Sequence, residues 1–215
     1  MRRVFMALGL LAMLWQVPGQ AQQTININSE MLAAARSGNS ETVRALLDGG
    51  AAVNSRNRLG DTALLIAAKN RYTPMALAIL ERGADVNQRN LAGVSPLMAA
   101  AFDGNVALVR ALLERGADAT PVDRVKKTAA VYAAGNGHTE VLRLLLDRGV
   151  AVNQRYDNDL TALMWAAAYG HDATVKLLIE RGADPGARDN RGKTAAVMAG
   201  ESGHLKTADL LNRKP

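Results

Sequence analysis

The chain has 215 residues, 4% of them aromatic, no cysteine and a formal net charge of +6. Without cysteine there is no disulfide stapling, no cysteine nucleophile and no lipid attached through a cysteine, so stability has to come from packing. Alanine is abundant, which lets helices approach closely, and the positive charge favours an acidic partner over a basic one.

In chain order, Arg2 and Arg3 precede an apolar run from Val4 to Trp15, and Pro18, Gly19, Gln20 and Ala21 follow. A basic start, a hydrophobic stretch of this length and small residues at the cut read as a secretory signal peptide over residues 1–21, cleaved after Ala21. The run is shorter than the roughly 20 residues of a spanning helix, which argues against a membrane anchor. Arg2-Arg3-Val4-Phe5 is faintly like a twin-arginine signal, but so short a basic region fits Sec export better. Cleavage removes two arginines and lowers the formal charge from +6 to +4. The mature chain is then expected in the periplasm or secreted, soluble and free of the membrane. Gln22 to Asn28 alternates polar residues with Ile25 and Ile27, and reads as an extended lead-in over the first repeat or as a flexible leader.

From there the chain repeats itself. Thr62, Ser95, Thr128, Thr161 and Thr194 are spaced at 33, and so are Gly50, Gly83, Gly116, Gly149 and Gly182. In the unit from Arg58 to Asn90, Leu59, Gly60 and Asp61 turn the chain, and Thr62 caps a short helix over Ala63–Lys69. After a break at Asn70 to Tyr72, Pro74 sits in the first turn of a second helix, where a missing N–H costs little. That helix runs to about Arg82, and Gly83 stops it by taking the left-handed conformation. Further units cover 91–123, 124–156, 157–189 and 190–213, and a first one, without a full leading loop, covers 29–57. First helices are predicted at Leu32–Arg36, Leu97–Phe102, Ala130–Ala134, Leu163–Ala168 and Ala196–Gly200. Second helices carry the apolar pairs Leu46 and Leu47, Ile79 and Leu80, Leu112 and Leu113, Leu145 and Leu146, Leu178 and Ile179, and Leu210 and Leu211, all predicted as core. Lys206, Asp209, Arg213 and Lys214 near the last helix suit a terminal unit that faces water.

Gly93-Val94-Ser95-Pro96-Leu97-Met98-Ala99-Ala100, Gly182-Ala183-Asp184 and Gly137-His138-Thr139-Glu140-Val141-Leu142-Arg143-Leu144-Leu145 resemble the ankyrin-repeat pattern, and 33 is the period of that family. The resemblance covers essentially everything after residue 28. It implies an all-α solenoid of about six stacked helix-turn-helix repeats with hairpin loops. One departure is consistent: the histidine common in the family's Thr-Pro-Leu-His tetrad is Leu65, Met98, Val131, Met164 or Val197 here, and its proline survives only at Pro96. That costs loop rigidity and hydrogen bonding between repeats.

The three histidines, His138, His171 and His204, are also spaced at 33. Neighbouring helices pack roughly 8–10 Å apart whereas zinc needs ligands at about 2 Å, so equivalent histidines read as repeat architecture bonding the turn before the second helix. Asp85, Asp118 and Asp184 likewise mark one repeat position rather than a catalytic pair. With no glycine-rich phosphate loop and no nucleophile elbow, neither an enzyme nor a cofactor or metal is expected.

Binding is expected where the period is broken. Arg56, Arg89, Arg155 and Arg188 form a row that Val122 interrupts, with Arg58, Arg124, Lys126, Lys127 and Arg191 nearby. The row reads equally as pairing with loop neighbours such as Asp157 and Asp189, or as a stripe that steers an acidic protein surface. Nucleic acid would fit the charge, but export removes the opportunity. Lys69, Asn70, Phe102, Asp103 and Tyr169 fall on the helix side of the expected concave face, and Leu59, Leu91, Val125 and Leu160 in the loops. Phe102 and Tyr169 are favoured as anchors over Tyr132 and Trp165, for which a core role fits. The resemblance implies a scaffold that binds another protein, expected to be monomeric and, by its signal peptide, exported. The alternative is an inhibitor or immunity protein that blocks an exported toxin or enzyme.

Overall fold

The computed structural model describes residues 18–212, with side chains from Asn26 onward. The apolar run of the expected signal peptide, and Arg213 and Lys214 at the other end, lie outside the described residues. Twelve α-helices follow in pairs among the described residues: α1 Pro18–Ser37 with α2 Ser40–Asp48, α3 Ala63–Lys69 with α4 Thr73–Glu81, and α5 Pro96–Phe102 with α6 Val106–Glu114. The next pairs are α7 Ala129–Gly135 with α8 Thr139–Asp147, α9 Ala162–Ala168 with α10 Asp172–Glu180, and α11 Ala195–Glu201 with α12 Leu205–Asn212. Odd-numbered helices stack on one another in one layer, even-numbered helices in a second, and each pair touches only its neighbours. The predicted solenoid is the observed fold.

Local chemistry sets the helix starts. The hydroxyl of Thr62 accepts the Leu65 N–H at 3.2 Å, and Ser95, Thr128, Thr161 and Thr194 do the same for Met98, Val131, Met164 and Val197. Each such cap contributes about 1 kcal/mol relative to alanine. First helices are buried almost all round, as at Ala63–Ala68, because they are sandwiched between the repeats on either side and their own second helix. Second helices are amphipathic: α8 buries Val141, Leu142 and Leu145 and leaves Glu140 and Asp147 in water.

Two expectations need correction. The lead-in Gln22 to Asn28 is neither extended nor irregular; its backbone is helical and continuous with the first helix of repeat 1. The apolar pairs are not uniformly core, since Leu178 is fully buried whereas Ile179 is 38% exposed. Ile79 with Leu80 and Leu112 with Leu113 are buried at both positions, but adjacent residues on a helix point about 100° apart, and elsewhere one or both of the pair are left partly accessible.

Candidate functional site

Between helix pairs the chain forms five hairpin fingers, spanning residues 57–61, 90–94, 123–127, 156–160 and 189–193. In each, the first residue's N–H donates to the carbonyl of the fifth. In four of them the first residue is Asn or Asp, and its side chain accepts two more N–H groups: Asn57 from Leu59 and Asp61, Asn90 from Ala92 and Val94. Asp123 accepts from Val125 and Lys127, and Asp189 from Arg191 and Lys193. These bonds replace a missing strand partner and hold the tips rigid. The aspartates of the repeated Gly-Ala-Asp stretch do similar work: Asp85, Asp118 and Asp184 each receive an N–H two residues ahead.

The arginine row is partly structural. Arg56 donates to the Arg89 carbonyl at 2.9 Å and Arg155 to the Arg188 carbonyl at 3.0 Å, tying one repeat to the next. Arg188 donates to Gly192 at 2.8 Å. The expected pairing with Asp157 and Asp189 does not occur: Asp189 is held by Arg191 at 2.9 Å, and Arg155 has Asp159 at 3.8 Å. Arg58, Arg89 and Arg124 are exposed and make no side-chain hydrogen bond or ion pair among the described residues. At the tips, Leu59, Leu91 and Val125 are 64%, 60% and 65% exposed, so the apolar loop residues are presented to solvent. Leu160 differs, being half-buried against Trp165 and Tyr169.

The first-helix face carries the aromatic residues. Phe102 meets Tyr132 edge-on at 5.5 Å, and Tyr169 stacks on Trp165 at 6.2 Å and on His171 at 6.3 Å. Phe102 and Tyr169 are half-exposed, while Tyr132 and Trp165 are only partly accessible. Between these pairs, the Lys127 ammonium lies 4.6 Å from the Trp165 ring centre and 5.6 Å from that of Tyr132. The Tyr132 hydroxyl donates to Asp123. Burial, then that hydrogen bond and the negative charge of Asp123, push the Tyr132 phenol well above the usual tyrosine range, so it remains a neutral donor. Lys69 and Asp103 lie on the same face but are paired, with Asp61 at 3.4 Å and with Arg71 at 3.0 Å. Asn70 caps its helix, donating to the Ile66 carbonyl at 3.0 Å.

Sequence reasoning placed Phe102 and Tyr169 on the surface, where they lie, and counted Lys127 among the charges near the arginine row, without anticipating its place between Tyr132 and Trp165. Tyr132 and Trp165 are 33 apart, at a position held elsewhere by Ile66, Ala99 and Met198, and that double aromatic departure was the available signal.

As expected, His138 and His171 bond at the turn before a second helix, and the turn is that of the preceding repeat. His138 Nε2 lies 2.9 Å from the Phe102 carbonyl, and His171 Nε2 lies 2.9 Å from that of Gly135, both one repeat back. Their rings cover Gly104 and Gly137, and His204 covers Gly170 in the same way. No group of three metal-binding side chains is found among the described residues.

Over residues 18–90, 97–189 and 151–214 the chain matches the family model for ankyrin repeats in three copies. It is similar to EF0377, an ankyrin repeat protein of known crystal structure, with 30% sequence identity and a TM-score of 0.79 over 87% of this chain and 98% of that one. No curated protein matches it.

Proposed function

The chain belongs to the ankyrin-repeat family, and on that premise we propose that it is an exported module that recognises another protein, one with an acidic surface, through its first-helix and finger face. Ankyrin repeats mediate protein–protein interaction, and the solenoid offers them an extended surface for it. The observation that carries the reading is the exposure of Phe102 at 52%, at the end of α5, and of Tyr169 at 54%, just after α9, beside helices whose other apolar residues are mostly buried. Large aromatic side chains held rigidly at a surface are the usual anchors of interfaces. Arg58, Arg89 and Arg124 along the finger tips supply the positive field that favours an acidic partner.

The test is capture from the exported fraction, comparing the wild type with Phe102→Ala/Tyr169→Ala. The double variant gives up two aromatic pairs, about 1–2 kcal/mol in all, and should still melt as a folded array. Its capture of the partner should fall sharply; equal capture rejects this face. A scaffold leaves its captured partner active at stoichiometric ratio, and loss of that activity would move the assignment to an inhibitor. Export is tested separately, by a mature N-terminus at Gln22.

A further inference from the structure

Repeats 3, 4 and 5 present equivalent positions on the first-helix face, and a hollow opens in each of the outer two. In repeat 3 the cell is formed by Val94, Met98 and Phe102 and closed by Tyr132 of the next repeat; it is a hollow of about 260 Å³. In repeat 5 the residues at the same positions and beside them are Leu160, Met164 and Tyr169, closed by Met198, around a hollow of about 390 Å³. The middle repeat differs. Where its neighbours have Val94 and Leu160 it has Lys127, whose ammonium sits over the Tyr132 and Trp165 rings.

Lys127 also differs electrostatically from four cations on the repeats to either side of it. Lys69, Arg71, Arg191 and Lys193 are each paired with a carboxylate, Asp61, Asp103, Asp189 and Glu201 respectively. Among the described residues Lys127 has no carboxylate within ion-pair distance. Two features remove the candidates: Asp123 receives the Tyr132 hydroxyl, and Gly135 stands where the repeat of Lys193 has Glu201. An ammonium over two aromatic faces is stabilised by them and still has N–H groups to donate.

We propose that this row binds an extended acidic segment of a partner protein, with one large apolar side chain in each outer cell and a carboxylate on Lys127 between them. The proposal rests on the protein-recognition reading above and adds the chemistry of the partner. With repeats about 10 Å apart, the outer cells are about 20 Å apart. A polyproline-type segment rises 3.1 Å per residue and turns once in three, so positions i, i+3 and i+6 share one side and span about 19 Å. The recognised pattern is thus an apolar residue, an Asp or Glu three positions on, and a second apolar residue three further. Charge complementarity selects the occupant: an apolar segment without the acid would bury Lys127 unpaired.

Trp165 reports on the site directly, because in the full chain carrying Trp15→Phe it is the single tryptophan. The probe is a synthetic peptide Leu-Pro-Ser-Glu-Pro-Ser-Leu, titrated against Trp165 fluorescence beside its glutamine counterpart. The glutamate peptide should bind about tenfold more tightly, a preference that weakens with salt. Lys127→Met should reduce the ratio to about one, and Lys127→Arg should restore it. Equal binding of the two peptides to the wild type, no binding of either, or a ratio unchanged in Lys127→Met overturns the proposal. If the peptides fail while partner capture still depends on Phe102 and Tyr169, this occupant is wrong and the face is right. If capture is also insensitive to those residues, both readings fall.

Discussion

The fingers of repeats 3 and 5 meet the finger before them in different ways. Leu91 of repeat 3 donates its N–H to the Leu59 carbonyl at 2.9 Å, and the rung recurs from Arg124 to Ala92 at 2.9 Å and from Asn190 to Asn158 at 3.0 Å. Between Val125 and Asp157 no such rung forms among the described residues, and a cleft of about 510 Å³ opens there, lined by Lys126, Tyr156 and Asp157. One column of the repeat lies close to the next finger. Its members are Gly60, Gly93, Lys126, Asp159 and Gly192, all at positive φ. A Cβ on Gly60 would lie 3.0 Å from the Leu91 nitrogen, and one on Gly93 would lie 3.1 Å from the Asp123 Cα. Lys126 has that Cβ and the next finger stands away, whereas Asp159, preceded by Asn158 also at positive φ, has one and still keeps the rung from Asn190. In tips shaped like those of Gly60 and Gly93, a side chain in this column would crowd the next finger.

The repeat 4–5 junction then depends on what it retains, chiefly the packing of α7 on α9 and the His171 clasp on Gly137. The largest effect should come from Gly137→Ala. Its Cβ would fall 2.6 Å from His171 Nδ1 on a backbone with φ of +74°, combining steric displacement with left-handed strain. We expect a loss of about 3 kcal/mol. Because this junction also lacks its rung, urea unfolding should separate into two transitions. Gly104→Ala, which would clash with His138 beside an intact rung, should destabilise as much and keep a single transition. If both variants unfold in one step, the repeat 4–5 junction is no weaker than the others.

Much of this arrangement was legible in the sequence. Thr62 and its equivalents cap their helices through bonds that span three residues, and local chemistry of that kind repeats wherever the residue does. Phe102 and Tyr169 stood out as large side chains at positions a shared fold does not require. The rest depends on distances across repeats. Lys127 meets an aromatic ring of its own helix pair and one of the next repeat, and the histidines reach carbonyls 36 residues away, so neither contact follows from neighbours in sequence. The missing rung was least accessible, since it depends on how closely two fingers a full repeat apart approach each other.

A transplant tests the same comparison in a regular finger. Gly93→Lys places the residue of repeat 4 in repeat 3, where φ is +79° and the Asp123 backbone is close. The expected loss is about 2 kcal/mol, part left-handed strain and part the displaced finger. The amide of Arg124, now bonded to Ala92, should lose protection from hydrogen exchange. Protection equal to the wild type would show that a side chain in this column does not open the finger junction.

The smallest and most specific effect is the reverse change. Lys126→Gly removes a side chain held at φ of +61° and takes away its Cβ at the open junction between the fingers of repeats 4 and 5. Relief of the left-handed strain exceeds the extra entropy glycine brings to the unfolded chain, so the array should gain about 0.5–1 kcal/mol. The structural readout is sharper than the energetic one. If the Cβ alone holds the cleft open, the Asp157 N–H should become protected and Tyr156 should lose solvent access as the gap closes. If stability rises while Asp157 stays unprotected, the finger of repeat 5 is held off by its own conformation. That finger has Tyr156 in place of the Asn or Asp that braces the other four, and Asn158 and Asp159 both at φ of 59°. The cause would then lie in that finger's departure from the repeat, and Tyr156→Asn would be the change that restores the rung.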